Sequence, residues 1–117
     1  MFKKVNEISE ILNGLTNVIN KNPIYIVGIN EIYQFDFQDI KEVFNMHLKN
    51  STAKISHGEN EESDCTLILT TDNFSQLLKG DLSGVKAVMS GKIKVKGNIG
   101  KVIKMEKILR SYNYLGH

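Results

Sequence analysis

The spacing of apolar residues changes along this chain. Val5, Ile8, Leu12, Leu15 and Ile19 recur at three- and four-residue steps, which places them on one face of an amphipathic helix. Asn20, Lys21, Asn22 and Pro23 end that helix, because the residue before a proline is pushed out of helical geometry. The next piece, IYIVGIN, is β-branched like a buried strand, but it is too short for its period to decide. The period then becomes two. Tyr33, Phe35 and Phe37 alternate with Gln34, Asp36 and Gln38, and Phe44, Met46 and Leu48 alternate with Asn45, His47 and Lys49. Asp39 lies between these runs, as in a short hairpin connection. TAKIS, from Thr52, supplies a third strand. HGENEESD, with Glu59, Glu61, Glu62 and Asp64, is an acidic loop, and CTLILT is a fourth strand with Cys65, Leu67 and Leu69 on one face.

Helical spacing returns after Thr70. Phe74, Leu77 and Leu78 share a face behind Thr70 or Thr71, either of which can cap, and Gly80 stops the helix. A second short helix starts at Ser83, places Val88 and Met89 inward and stops at Gly91. KIKVK is a fifth strand, with Ile93 and Val95 on one side and Lys92, Lys94 and Lys96 on the other. Ile99, Val102, Ile103 and Leu109 mark a last helix beginning just after Gly97. Strands and helices fall into separate runs, without repeats or an internal linker. The expectation is one α+β domain over residues 1–117, with helices layered on one antiparallel-rich sheet.

Charge alters this picture more than composition does. Residues 1–78 carry 6 Lys against 11 Asp and Glu, whereas residues 79–117 carry 9 Lys and Arg against Asp81 and Glu106 alone. Such asymmetry marks either a surface that meets anions or a solvated end of the domain. Cys65 is the only cysteine, so no intrachain disulfide or cysteine-based zinc site can form, which fits a reducing compartment. The N-terminus MFKKVNEISEILNGL breaks its apolar residues with polar ones, unlike a signal peptide, and no apolar run has membrane-spanning length. A cytoplasmic protein is expected.

The stretch SGKIKVKGNIGKVIKM invites three chemical readings. A nucleotide P-loop needs four residues between its glycines and a hydroxyl after the lysine, but Val102 follows Lys101 and the Gly97–Gly100 spacing is too short. A dinucleotide fold needs a glycine at position 95, which is Val. GNIGK does have the spacing of an RNA backbone clamp, but that clamp joins two helices and this pair joins a strand to a helix. The reading kept is a tight strand-to-helix turn, with Lys101 solvated. Cys65 with His47 or His57 makes an imaginable nucleophile pair, but Cys65 sits on an apolar strand face, His47 alternates outward and His57 falls in a loop. Asp36, Asp39 and Glu42 read as solvated turn residues. Three histidines without ligand spacing imply no metal, and no cofactor or catalytic residue is assigned.

The block DCTLILTTDNFSQLLKGDLSGVKAVMSGKIKVKGNIGKVIKM, from Asp64 onward, resembles the sterol carrier protein type-2 family, the sterol-binding or lipid-carrier domain. The shared features are an Asp-x-Thr strand, a helix entered through Asp72 and Phe74, and a leucine-glycine segment from Leu77 to Leu82. Ala87, Met89, Gly91 and Lys92 then form an Ala-x-Met-x-Gly-Lys run, followed by KIKVKGNIG. The likeness extends upstream through Asn22-Pro23 and IYQFDF. It implies a five-stranded, largely antiparallel sheet covered by helices and enclosing an apolar tunnel for a lipid or fatty acyl chain. It also implies a helical turn rather than a strand at Pro23 to Gly28. The family often has proline where Gly84 stands and phenylalanine where Val88 stands. The absence of a peroxisomal signal suggests a stand-alone, bacterial-type member.

On this reading Phe74, Leu77, Leu78, Val85, Val88 and Met89 line the tunnel together with Ile93, Val95, Ile99, Val102 and Ile103. Tunnel and solid core share one period, so only the resemblance separates them. The expected function is non-catalytic carriage of a lipid or acyl ligand. Lys92, Lys94, Lys96, Lys101 and Lys104 would offer an edge for transient contact with an anionic membrane. The alternatives are a nucleic-acid-binding module using GNIGK and the basic third, the less favoured partner, and a scaffold or dimerisation domain.

Overall fold

The structure is a computed structural model that describes residues 2–58 and 62–112, omitting the side chains of residues 2 and 3. The expected acidic residues Glu59 and Glu61 lie outside the described residues. Helix α1 spans Phe2–Lys21 and buries Ile8, Leu12, Leu15 and Ile19, the stripe set by its periodicity. Its last turn grips the sheet edge: the Asn20 amide donates to Ala53 O at 2.9 Å and accepts from Ala53 N at 2.7 Å. That pair satisfies backbone groups on an edge strand, which would otherwise remain open to another chain.

A 3-10 turn, Pro23–Ile26, follows. The resemblance predicted it, against the strand propensity of IYIVGIN. Proline sets the first φ of the turn, and only Ile26 of these four residues is buried. Strands β1 (Glu31–Phe37), β2 (Glu42–Lys49) and β3 (Thr52–His57) form an antiparallel meander. Asn50 and Ser51, with φ of 54° and 56°, make the β2–β3 turn, since paired positive φ angles match the twist of a hairpin. His57 is thus the last residue of a strand and not part of a loop. Strand β4 (Cys65–Leu69) lies parallel to β1, and β5 (Lys94–Gly97) is antiparallel to β4, giving the order β3-β2-β1-β4-β5. One parallel pair in an otherwise antiparallel sheet leaves the α+β expectation standing. Strand β5 starts two residues later than KIKVK suggested, because Lys92 N and Ile93 N both donate to Ala87 O.

Tyr33, Phe35 and Phe37 of central β1 carry the core, and Phe74 packs 5.1 Å from Phe35 and 5.3 Å from Phe37. On the other face a polar ladder crosses four strands. Thr66 donates to Gln34 (3.1 Å), Gln34 to Asn45 (3.0 Å) and Asn45 to Ser56 (3.3 Å). Asn45 also donates to Gly58 O at 2.9 Å, so this amide is buried with partners rather than turned to water as its alternation implied.

Helix α2 (Thr71–Lys79) is capped by Thr70, whose hydroxyl accepts from Asn73 N, and ends at Gly80 with φ 80°. Asp39 is not a solvated turn residue: it accepts from Thr71 N at 3.1 Å and Thr71 Oγ1 at 2.6 Å, and Lys4 stands 3.7 Å away. Burial opposes its charge, but the Thr71 hydrogen bonds outweigh it and lower the pKa. Glu42 is likewise partnered, by His57, whose ring stacks on Phe44 at 4.3 Å. Helix α3 (Gly84–Met89) and helix α4 (Ile99–Tyr112) complete the fold. No helix among the described residues is long and apolar enough to cross a membrane.

Candidate functional site

The eleven residues expected to line a tunnel separate into three groups. Phe74, Leu77, Leu78, Ile93 and Val102 are buried in the core. Val88, Val95 and Ile103 are half-buried. Val85, Met89 and Ile99 are exposed, Met89 at 81%. The expectation that α3 turns Met89 inward is therefore corrected, while Val88 is half-buried and packs against the core; the residues that α3 buries fully are Gly84 and Ala87. The cause is the close approach of α4. Gly84 N donates to Glu106 Oε1 at 2.9 Å, and a Cβ at position 84 would lie 2.5 Å from that same oxygen. Glu106 also pairs with Arg110 at 2.7 Å, and Arg110 reaches Leu82 O at 3.3 Å, so two residues of α4 hold the segment entering α3. With Gly84 facing α4, Val85 and Met89 stay exposed while Val88 packs against the core. A proline at position 84 would have no N–H to donate to Glu106.

Cavities open on both sides of the sheet edge region, two of them well defined. One, of about 450 Å³, lies on the polar face of β2 and β3 and is lined by His47, Lys49, Asn50, Thr52, Lys54, Ile55 and Ser56. The other, of about 150 Å³, lies between α1 and the start of α2. Neither is lined by any of the eleven residues, of which Phe74 packs against the Phe35 and Phe37 rings instead.

The opening of α4 is fixed by the GNIGK segment acting as a turn. Gly97 has φ 110°, and a Cβ there would meet Asp64 O at 2.8 Å, so both conformation and space require glycine. Asn98 occupies the free N–H of Gly100 with its own side chain, at 2.6 Å, leaving that donor no phosphate to bind. Lys101 is half-exposed but paired rather than merely solvated. It pairs with Glu31 Oε2 at 3.0 Å and faces Asp64 at 3.8 Å, while Lys104 meets Glu31 Oε1 at 3.1 Å. The same oxygen accepts from the buried Tyr33 hydroxyl at 2.7 Å. Burial works against the charge on Glu31, but hydrogen bonds from Tyr33, Lys101 and Lys104 outweigh it and hold its pKa at about 2. The Tyr33 phenol is pushed well above its ordinary value, by burial first and then by the neighbouring carboxylate. Two of the five edge lysines are thus committed internally, and Lys92, Lys94 and Lys96 remain exposed.

The imagined Cys–His pair is not assembled. Cys65 is opposite Tyr33 on the core face, whereas His47 is opposite Ile32 in the adjacent register and meets Ser56 at 3.2 Å. Burial pushes the Cys65 thiol up to about 11, away from the reactive thiolate. One exposed apolar group had no sequence signal: Ile24, Tyr25 and Val27, with the Tyr25 ring 5.2 Å from Tyr112. The β-branched run there reads as interior, and only the 3-10 turn reveals its exposure.

The arrangement of a meander, a parallel fourth strand and helices between β4 and β5 has close counterparts. Sterol carrier protein 2 from Yarrowia lipolytica, in its apo form, superposes with a TM-score of 0.73 at 27% identity, over 92% of this chain and 91% of that one. Sterol carrier protein 2 from Aedes aegypti, solved with palmitate, shares the fold at a TM-score of 0.65 and 21% identity, over 86% and 96% of the two chains. In sequence, hydroxysteroid dehydrogenase-like protein 2 of Mus musculus is 36% identical over 84 residues, which are 70% of this chain and only 17% of that protein. The model of the SCP-2 sterol transfer family matches residues 12–110, from the buried stripe of α1 to Arg110 beside α3. That match spans most of the chain, and the chain belongs to the SCP-2 sterol transfer family.

Proposed function

We propose that this domain binds a lipid or fatty acyl ligand and carries it without chemistry. Family membership over residues 12–110 is the observation that carries the reading, and a fold relative solved with palmitate supports the ligand class. The hydrocarbon would lodge between α3, α4 and the sheet, against Val88, Val95 and Ile103, which are already only half-buried. Helix α3 is six residues long and fully buries only Gly84 and Ala87, so its displacement uncovers few core side chains. Each buried CH₂ contributes about 0.8 kcal/mol, so a long chain gains on the order of 10 kcal/mol before ordering offsets much of it. Moderate affinity with loose selectivity follows. Carriage also requires contact with donor and acceptor surfaces, which the exposed lysines Lys92, Lys94 and Lys96 would favour.

The test is displacement of a fluorescent fatty acid, joined to mass spectrometry of solvent extracts of the purified chain. Ile103→Glu should weaken probe binding tenfold or more while the circular dichroism spectrum stays folded, and Leu78→Glu should abolish it. A clean extract together with no probe uptake at any chain length would refute the carrier reading.

A further inference from the structure

We propose that α3 and the start of β5 form the surface by which this domain docks on anionic lipid bilayers. The proposal rests on the carrier reading and adds the element that meets the membrane. Helix α3 presents Met89 at 81% and Val85 at 36% exposure, and Ile99 opens α4 at 44%. Lys86 on the same helix and Lys92 just after it are also exposed. The donations from Lys92 N and Ile93 N to Ala87 O, at 2.9 and 3.2 Å, fold the end of α3 onto the start of β5. Met89, Lys92 and Lys94 therefore share one corner of the molecule. None of Lys86, Lys92, Lys94 and Lys96 is paired with a carboxylate among the described residues, in contrast to Lys101 and Lys104.

Apolar side chains standing among unneutralised cations match the chemistry of an anionic membrane interface. The thioether and aliphatic groups enter the acyl boundary while the ammonium groups meet lipid phosphates. A second copy of the chain is a poorer occupant, since a two-fold contact would set lysines against lysines. Nucleic acid is also poorer: the corner offers no aromatic platform for bases and would leave Met89 in water. The same tertiary contact that turns Met89 outward places this corner on α3, the element whose displacement would admit a ligand.

The experiment is flotation of the full chain with phosphatidylcholine vesicles, with and without phosphatidylglycerol, alongside acyl-probe titration without vesicles. The expected result is flotation only with phosphatidylglycerol, weakened by salt. Removing two lysines in a Lys92→Ala/Lys94→Ala variant should cost about 25-fold, roughly fivefold for each. Met89→Glu should cost about tenfold or more. The double variant Lys49→Ala/Lys54→Ala, at the opposite sheet edge, should float like the parent. Probe affinity in solution should stay unchanged in the lysine variants. Equal flotation of Met89→Glu and the parent, an equal loss from the Lys49/Lys54 control, or tighter binding to single-stranded RNA than to vesicles would overturn the docking surface. Loss of flotation with probe binding intact in the parent would refute docking and spare the carrier reading. Absent probe binding with the predicted flotation pattern would do the reverse.

Discussion

Replacing Glu31 with glutamine isolates the electrostatic tie between β1 and α4. The carboxylate is 10% exposed and sits between Lys101 at 3.0 Å and Lys104 at 3.1 Å, with the Tyr33 hydroxyl at 2.7 Å. Its pKa falls from the ordinary 4.5 to about 2, and at about 1.4 kcal/mol per pKa unit this corresponds to roughly 3 kcal/mol favouring the folded state. The lysine side chains are 33% and 44% exposed, so water and salt screen part of that. Glutamine keeps an acceptor for Tyr33 but leaves two ammonium groups beside a neutral amide. The expected loss is about 2 kcal/mol at neutral pH, or about 6–10 °C in the melting temperature. The sign of the pH dependence follows from a depressed folded-state pKa. The contribution is complete above 4.5 and disappears as pH falls through about 2. Urea unfolding followed by circular dichroism across that window should show parent and Glu31→Gln converging in stability as acid is added. Equal stability at neutral pH, or a gap that persists unchanged below pH 2, would refute the argument.

Two further outcomes test the packing around the site. Gly97→Ala combines a φ of 110° with a Cβ only 2.8 Å from Asp64 O, and should cost about 2–4 kcal/mol in urea unfolding. Gly91→Ala, at φ 80° with open space around it, should cost only about 1 kcal/mol, and equal losses would contradict the claimed close approach. Cys65 is buried, with its thiol pushed up to about 11, so neutral-pH labelling with a thiol-reactive dye should be slow and should accelerate with denaturant in step with unfolding. Fast labelling of the native chain would show the β4–α4 contact to be open.

Sequence pattern reached the elements wherever side-chain period matched one buried face. The stripe of α1, the alternating aromatics of β1 and the glycine that closes α2 are all local signals. Periodicity misled at α3, where Met89 and Val85 stay exposed although Val88 packs against the core as expected. Burial in so short a helix follows its neighbour, and the Gly84 side of α3 is the one that meets Glu106 and Val102 of α4. IYIVGIN, whose period could not decide, ends the same way: a proline-set turn exposes Ile24, Tyr25 and Val27, whose composition reads as interior.

By itself, the sequence determined the order and type of the elements, the turn required at Gly97 and the resemblance that proved to be family membership. These depend on residues a few positions apart. Tertiary structure alone decided which lysines are free, because Glu31 claims Lys101 and Lys104 from seventy residues away. It likewise decided that Asn45 is buried yet satisfied by Gln34, Ser56 and Gly58, and that Met89 faces outward. A charge is neutralised, or an apolar side chain exposed, according to what the folded chain brings beside it, and no local period carries that information.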